Sequence, residues 1–130
     1  MQDSIFTKII KGEIPCQKVY EDDKAIVIMD INPIQTGQVL VIPKTPTDHL
    51  WDLSDDDYKH TLMVSKRVAQ QLRKVFPDKK RIALVVEGFE IPHAHIKIFP
   101  LNSGRELHDF PKNLEPNHAE LAELAKKLAF

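Results

Sequence analysis

Two β-branched apolar runs, Ala25-Ile26-Val27-Ile28-Met29 and Gln38-Val39-Leu40-Val41-Ile42, are separated only by residues 30–37. A parallel crossover needs about a dozen residues or more, so strands joined this closely pair antiparallel. The rest of the chain is read against that restriction. Ile5 to Ile10 carries apolar residues at 5, 9 and 10, a helical spacing, and Gly12 is a stop. Val19-Tyr20 is a short strand, turned at Asp22-Asp23 into the first apolar run. Ser54 caps a helix whose first turn holds Asp55, Asp56 and Asp57, carboxylates that complement the positive end of its dipole. Leu62, Ala69, Leu72 and Phe76 fall near one face, so that helix runs to about Val75. Pro77 to Lys80 is a loop, Arg81 to Val86 a strand broken by Gly88, and His93 to Phe99 a strand before Pro100. Leu101 to Pro116 shows little periodicity. Asn117 with Glu120 then opens a helix striped by Leu121, Leu124, Ala125 and Leu128. The chain therefore reads as α+β, with an antiparallel five-stranded sheet, one long helix, and short N- and C-terminal helices. Its 130 residues suit a single domain, 1–130, in which 101–130 packs on the rest or across a dimer interface.

Composition narrows the function. Eighteen Lys and Arg against 19 Asp and Glu give a net charge of −1, so no general attraction to nucleic acid or to an anionic membrane is expected. Cys16 is the single cysteine, which excludes an internal disulfide and a C-x-x-C zinc site. Met1-Gln2-Asp3-Ser4 lacks a signal-peptide start and no apolar run reaches membrane-spanning length, so a cytoplasmic protein is expected. Trp51, beside Leu50 and Leu53, is expected in the core or an interface, and His60, His108 and His118 carry no signature.

The chemistry gathers at His93-Ala94-His95-Ile96-Lys97. On a strand, alternate side chains share a face, so His93, His95 and Lys97 project together while Ala94, Ile96 and Ile98 turn to a core. A solvated polar face is the bland alternative. Two chemistries compete with it. Paired imidazoles can bind a metal ion, but Lys97 would repel a dication and no carboxylate follows in register. A neutral imidazole is also a nucleophile toward phosphorus, and a neighbouring cation neutralises the phosphoryl oxygens. Phosphoryl or nucleotidyl transfer is the better match.

The run His93-Ala94-His95-Ile96-Lys97-Ile98-Phe99-Pro100 resembles the H-φ-H-φ-H-φ-φ signature of the histidine triad (HIT) family, with Lys97 in the third histidine's place. Ile5 to Pro15, Val19 to Asp23, Met29 to Pro33 and Gly37 to Lys44 are similar to four further family segments in the same order. The resemblance implies a HIT-like nucleotide-binding fold, a homodimer, and hydrolysis or transfer of nucleotides from phosphoramidates, dinucleoside polyphosphates or related purine nucleotide conjugates. It implies that His95 attacks the α-phosphorus to form a nucleotidyl-histidine, that His93 orients it, and that Lys97 holds phosphate. Ile5, Phe6, Ile9, Ile28 and Ile31 would line the base pocket, Asp30 would bind the ribose hydroxyls, and Gln38 would face the nucleotide. No cofactor or metal is implied.

Several positions depart from the family pattern. Gln38 and Pro46 stand where many members carry histidines, with His49 nearby. Ser4 and Thr7 replace the paired cysteines of members that bind structural zinc, and Glu87 to Pro92 replaces the Asn- and Gln-rich phosphate loop. Two readings follow: an enzyme working through His95, or a nucleotide-binding module that has lost turnover.

Overall fold

In the computed structural model, which describes residues 3–111 and 115–130, helix α1 (Ile5–Ile10) starts where the Ser4 hydroxyl accepts the amide of Thr7 at 3.2 Å. It ends before Gly12, whose φ of +81° suits a residue without Cβ. Strands β1 (Lys18–Glu21) and β2 (Ala25–Met29) form a hairpin closed by Asp22. One Asp22 oxygen accepts the amides of Lys24 and Ala25 at 2.8 Å each, and the other accepts Tyr20 Oη and faces His60 Nε2, each at 2.7 Å. Burial pushes the Asp22 carboxyl up, but these donors outweigh it and hold the group at about 2.

Strand β3 (Val39–Pro43) pairs with β2, then helix α2 (Asp55–Val75) leads to β4 (Arg81–Val85) and β5 (Ile96–Leu101). The sheet runs β1-β2-β3-β5-β4, every pairing antiparallel. Strand bounds differ from the sequence reading in several places: β1 extends one residue each way beyond Val19-Tyr20, β4 stops at Val85, β3 starts at Val39 and includes Pro43, and β5 starts at Ile96, runs through Pro100 and leaves His93 outside it. Proline is tolerated at both places because the β3–β5 ladder ends at Val41 and Ile98, where no amide is called for.

Ala25, Val27, Met29, Val39, Val41, Ile96 and Ile98 share one sheet face and form the main core under α2 and helix α3 (His118–Leu128). Ile26, Ile28, Leu40 and Ile42 face the other way and pack on Phe6 of α1. Burial on both faces explains the unbroken apolar runs of β2 and β3. The buried stripe of α2 is Thr61, Val64, Ser65, Val68 and Leu72; Leu62, Ala69 and Phe76 lie at its margin. Of that stripe the sequence periodicity marks only Leu72, missing Val64 and Val68 with the two hydroxyl residues; Thr61 and Ser65 tolerate burial by bonding back to the carbonyls of Asp57 (2.7 Å) and Thr61 (2.8 Å).

Asn117 caps α3 by accepting the amide of Glu120 at 3.0 Å. The helix packs on α2, β1 and β2 of the same chain, and Phe130 stacks on Tyr20 at 4.5 Å beneath the Arg67 guanidinium. Ahead of it, Gly104–His108 forms a 3-10 turn boxed by Ser103 and Glu106, an S-x-x-E signal in a stretch the sequence reading left unstructured; residues 112–114 of that stretch, and Met1 and Gln2, lie outside the described residues. Trp51 does not join the core: Leu50 and Leu53 are buried, but Trp51 is 69% exposed, which leaves the interface half of the expectation. No helix among the described residues is long and apolar enough to cross a membrane.

Candidate functional site

His93 is held on every side. Its amide turns back to Ile91 O at 2.8 Å, and the next amide, Ala94, goes to Thr47 O at 2.7 Å, so the chain here is irregular and not strand. Its Nε2 lies 2.7 Å from Pro43 O; a carbonyl only accepts, so Nε2 carries the hydrogen. Pro43 can offer that carbonyl because it lies past the end of the β3–β5 ladder, where no strand amide claims it. The remaining nitrogen, Nδ1, faces the Thr7 hydroxyl at 3.4 Å, which in turn lies 3.3 Å from Ser4 Oγ. Burial lowers the His93 pKa, against the opposing pull of the Pro43 carbonyl, and His95 lowers it further. His93 is thus a neutral imidazole with a fixed tautomer.

The carbonyl of His93 then fixes its neighbour. His95 Nδ1 donates to it at 2.8 Å, which leaves Nε2 of a neutral His95 with its lone pair and no partner among the described residues. No buried side-chain nitrogen or oxygen lacks a partner among those residues, so this Nε2 reaches the surface. Phe6 packs edge-on against His95, ring centroids 4.9 Å apart, and also against His93 at 6.1 Å. The solvated-face alternative fails, since His93 is 0% and His95 5% exposed. Lys97 follows one strand period on, about 7 Å along β5. Its Nζ lies 3.2 Å from Glu87 Oε1, in the segment after β4.

The structure gathers Phe6, Ile9 and Ile28 in the smaller core cluster beside the histidines. Ile5 and Ile31 are not in it; both are exposed apolar side chains. Asp30 leaves β2 half-buried, with Oδ1 accepting the Asn32 amide at 2.9 Å and Oδ2 accepting Gln38 Nε2 at 2.7 Å. A carboxylate has about four acceptor positions, so hydroxyl donors can still reach it. Gln38 is buried and its Oε1 accepts the Ile34 amide at 3.1 Å. It braces the 30–37 connection from within.

The family model for the HIT domain matches residues 11–104. The chain belongs to the HIT family. A HIT-like protein of Borreliella burgdorferi is 41% identical over 75 residues, 58% of this chain and 54% of that protein, so the match spans about half of that relative. An adenosine 5'-monophosphoramidase of Schizosaccharomyces pombe is 35% identical over 100 residues, 74% of this chain and 72% of that one. A crystal structure of a Hit-like protein from Bartonella henselae superposes with a TM-score of 0.85 at 30% identity, covering 97% of this chain and 93% of the other. The antiparallel five-stranded sheet with its helices is therefore a HIT fold.

Three contacts of the motif residues are not visible from the sequence, two on His93 and one on Lys97. Thr7 reaches His93 from 86 residues away and Pro43 from 50. Glu87 was visible only as part of a loop, although its place after β4 sets it beside Lys97. A cavity of about 320 Å³ lies elsewhere, between the 31–37 connection and α3, and none of the three motif residues lines it.

Proposed function

We propose that this HIT protein is a nucleotide hydrolase or nucleotidyl transferase working through a nucleotidyl-His95 intermediate. The observation that carries the reading is the His95 Nδ1 bond to the His93 carbonyl, which leaves Nε2 as the free nitrogen at the surface. The Nε2 lone pair attacks the α-phosphorus and forms an N–P bond. The bond from phosphorus to the leaving group breaks, its electron pair departs with that group, and an amine nitrogen takes a proton from solvent. Water or another acceptor then attacks phosphorus, loses its proton to solvent, and returns the electron pair to Nε2. His93 is the positioning residue, and Lys97 is placed to meet phosphoryl oxygens. The base packs by Phe6, Ile9 and Ile28, rimmed by Ile5 and Ile31, and Asp30 accepts the ribose hydroxyls. The name of the fission yeast relative supports an adenine nucleotide linked to nitrogen. We also propose a homodimer joined through β4, an edge strand with half-exposed Leu84, and a cytoplasmic protein without a nucleic-acid partner.

Incubation with adenosine 5'-phosphoramidate tests this directly. Release of AMP, its loss in His95→Asn, and a nucleotidyl adduct mapped to His95 are expected; an adduct on any other residue sinks the mechanism. The binding-module reading draws on the internal bonding of Gln38 and the tethering of Lys97 to Glu87. Tight AMP binding without turnover would establish it instead.

A further inference from the structure

We propose that Glu87 determines leaving-group selectivity: by neutralising Lys97 beside the nucleophile, it favours nucleotides joined to a neutral or cationic amine over nucleotides extended by phosphate. This rests on the His95 reading above. The sheet order supplies a ruler. The cluster around Phe6 and Ile28 covers β2 and β3, His95 stands at the head of β5, and β4 is the next strand out. Val85 pairs with Lys97, so the register carries residue 87 opposite residue 95 just past the strand ends. A nucleotide with its base over β2 and its α-phosphorus at His95 Nε2 therefore directs its leaving group toward the segment after β4.

The first charges met there are Lys97 and Glu87, paired at 3.2 Å and both shielded, with side chains 24% and 33% exposed. Glu87 Oε1 also accepts the Gly88 amide at 3.0 Å. Burial raises the Glu87 carboxyl, but Lys97 and the amides of Gly88 and Phe89 prevail, so it stays ionised below the usual range. The Lys97 charge is spent on a neighbour and is not free for a β-phosphate. Residues 82–96 contain no Lys or Arg to replace it, and Glu90 adds a second carboxylate. Phe89, 90% exposed between the two, offers an apolar surface to a substituent on nitrogen. An amine leaving group meets no repulsion at such a place, whereas a phosphate finds Lys97 already neutralised by Glu87 and the Glu90 carboxylate close in sequence.

AMP and ADP report the difference without any need for turnover, because the β-phosphate of ADP occupies the leaving-group position. Titration calorimetry should show wild type binding AMP more tightly than ADP. Glu87→Gln, which frees Lys97, should improve ADP relative to AMP by ~tenfold, and adding Lys97→Met should cancel that gain. Glu87→Ala provides a second variant, with unchanged melting temperature as the check on folding. An AMP-to-ADP ratio within about twofold of wild type in both folded Glu87 variants overturns the proposal. Failure to detect a His95 adduct while the ratio still shifts would overturn the nucleophile and leave the role of Glu87 standing. Absence of binding to either nucleotide would overturn both.

Discussion

At the scale of one residue, a proton's position decides what His95 can do, and that position is set by backbone. The His93 carbonyl takes the Nδ1 hydrogen, while His93 is itself locked between Pro43 O and Thr7. The motif spacing announces the two histidines; their burial is not legible, because both partners of His93 come from distant segments and alternation alone reads as a polar face. Neutrality of His93 has a measurable cost. Its folded pKa is lowered, so below the ordinary imidazole value near 6.5 the unfolded chain binds a proton that the folded chain does not. Stability is then fully present above pH 6.5 and falls as the pH drops toward the folded pKa, by up to ~1.4 kcal/mol per unit. Urea midpoints at pH 7.5 and 5.5 should separate accordingly, and His93→Gln should shrink the separation. Thr7→Val removes the hydroxyl from Nδ1 and should lower phosphoramidate turnover about two- to tenfold, with Thr7→Ser restoring it. Equal rates in all three would show that Thr7 only packs.

At the scale of elements, boundaries were legible wherever local chemistry alone sets them. Ser54 and Asn117 cap as their sequence contexts suggest, and β2 spans Ala25–Met29 as expected because no residue in it has a polar alternative. The misplaced start of β5 has a physical cause: the amides of His93 and Ala94 are claimed by Ile91 and Thr47 before a ladder can form. Long-range claims of this kind leave no periodic trace. The S-x-x-E box at Ser103, by contrast, is a local signal that the sequence carries in the open. Gly37 shows how a connection depends on one residue, since its φ is +92° and an added Cβ would lie 2.7 Å from the Phe76 ring. Gly37→Ala should therefore cost about 1–3 kcal/mol in urea unfolding, from strain and overpacking together. A loss below the error of the measurement would mean that Phe76 swings away freely.

At the scale of the whole molecule, β4 leaves its outer edge unpaired among the described residues, and unpaired edges invite another strand. If a second copy covers it, sedimentation equilibrium should give a dimer, and Leu84→Asp should shift it to monomer; a monomeric wild type at micromolar concentration would reject the homodimer. The doubly buried central strands have a different consequence. A strand with one apolar face cannot slide by one position without turning that face to water, but β2 and β3 are apolar on both faces, so sliding would carry little hydrophobic penalty. Their alignment must come from the ends. Asp22 pins one end through the Lys24 and Ala25 amides, and the Asp30–Gln38–Ile34 brace pins the other. A slip of one residue would carry the Pro43 carbonyl away from His93 Nε2, and the tautomer of His95 would lose its support. The two turns, neither of which is bonded to His93 or His95, act as the alignment pins of that histidine pair.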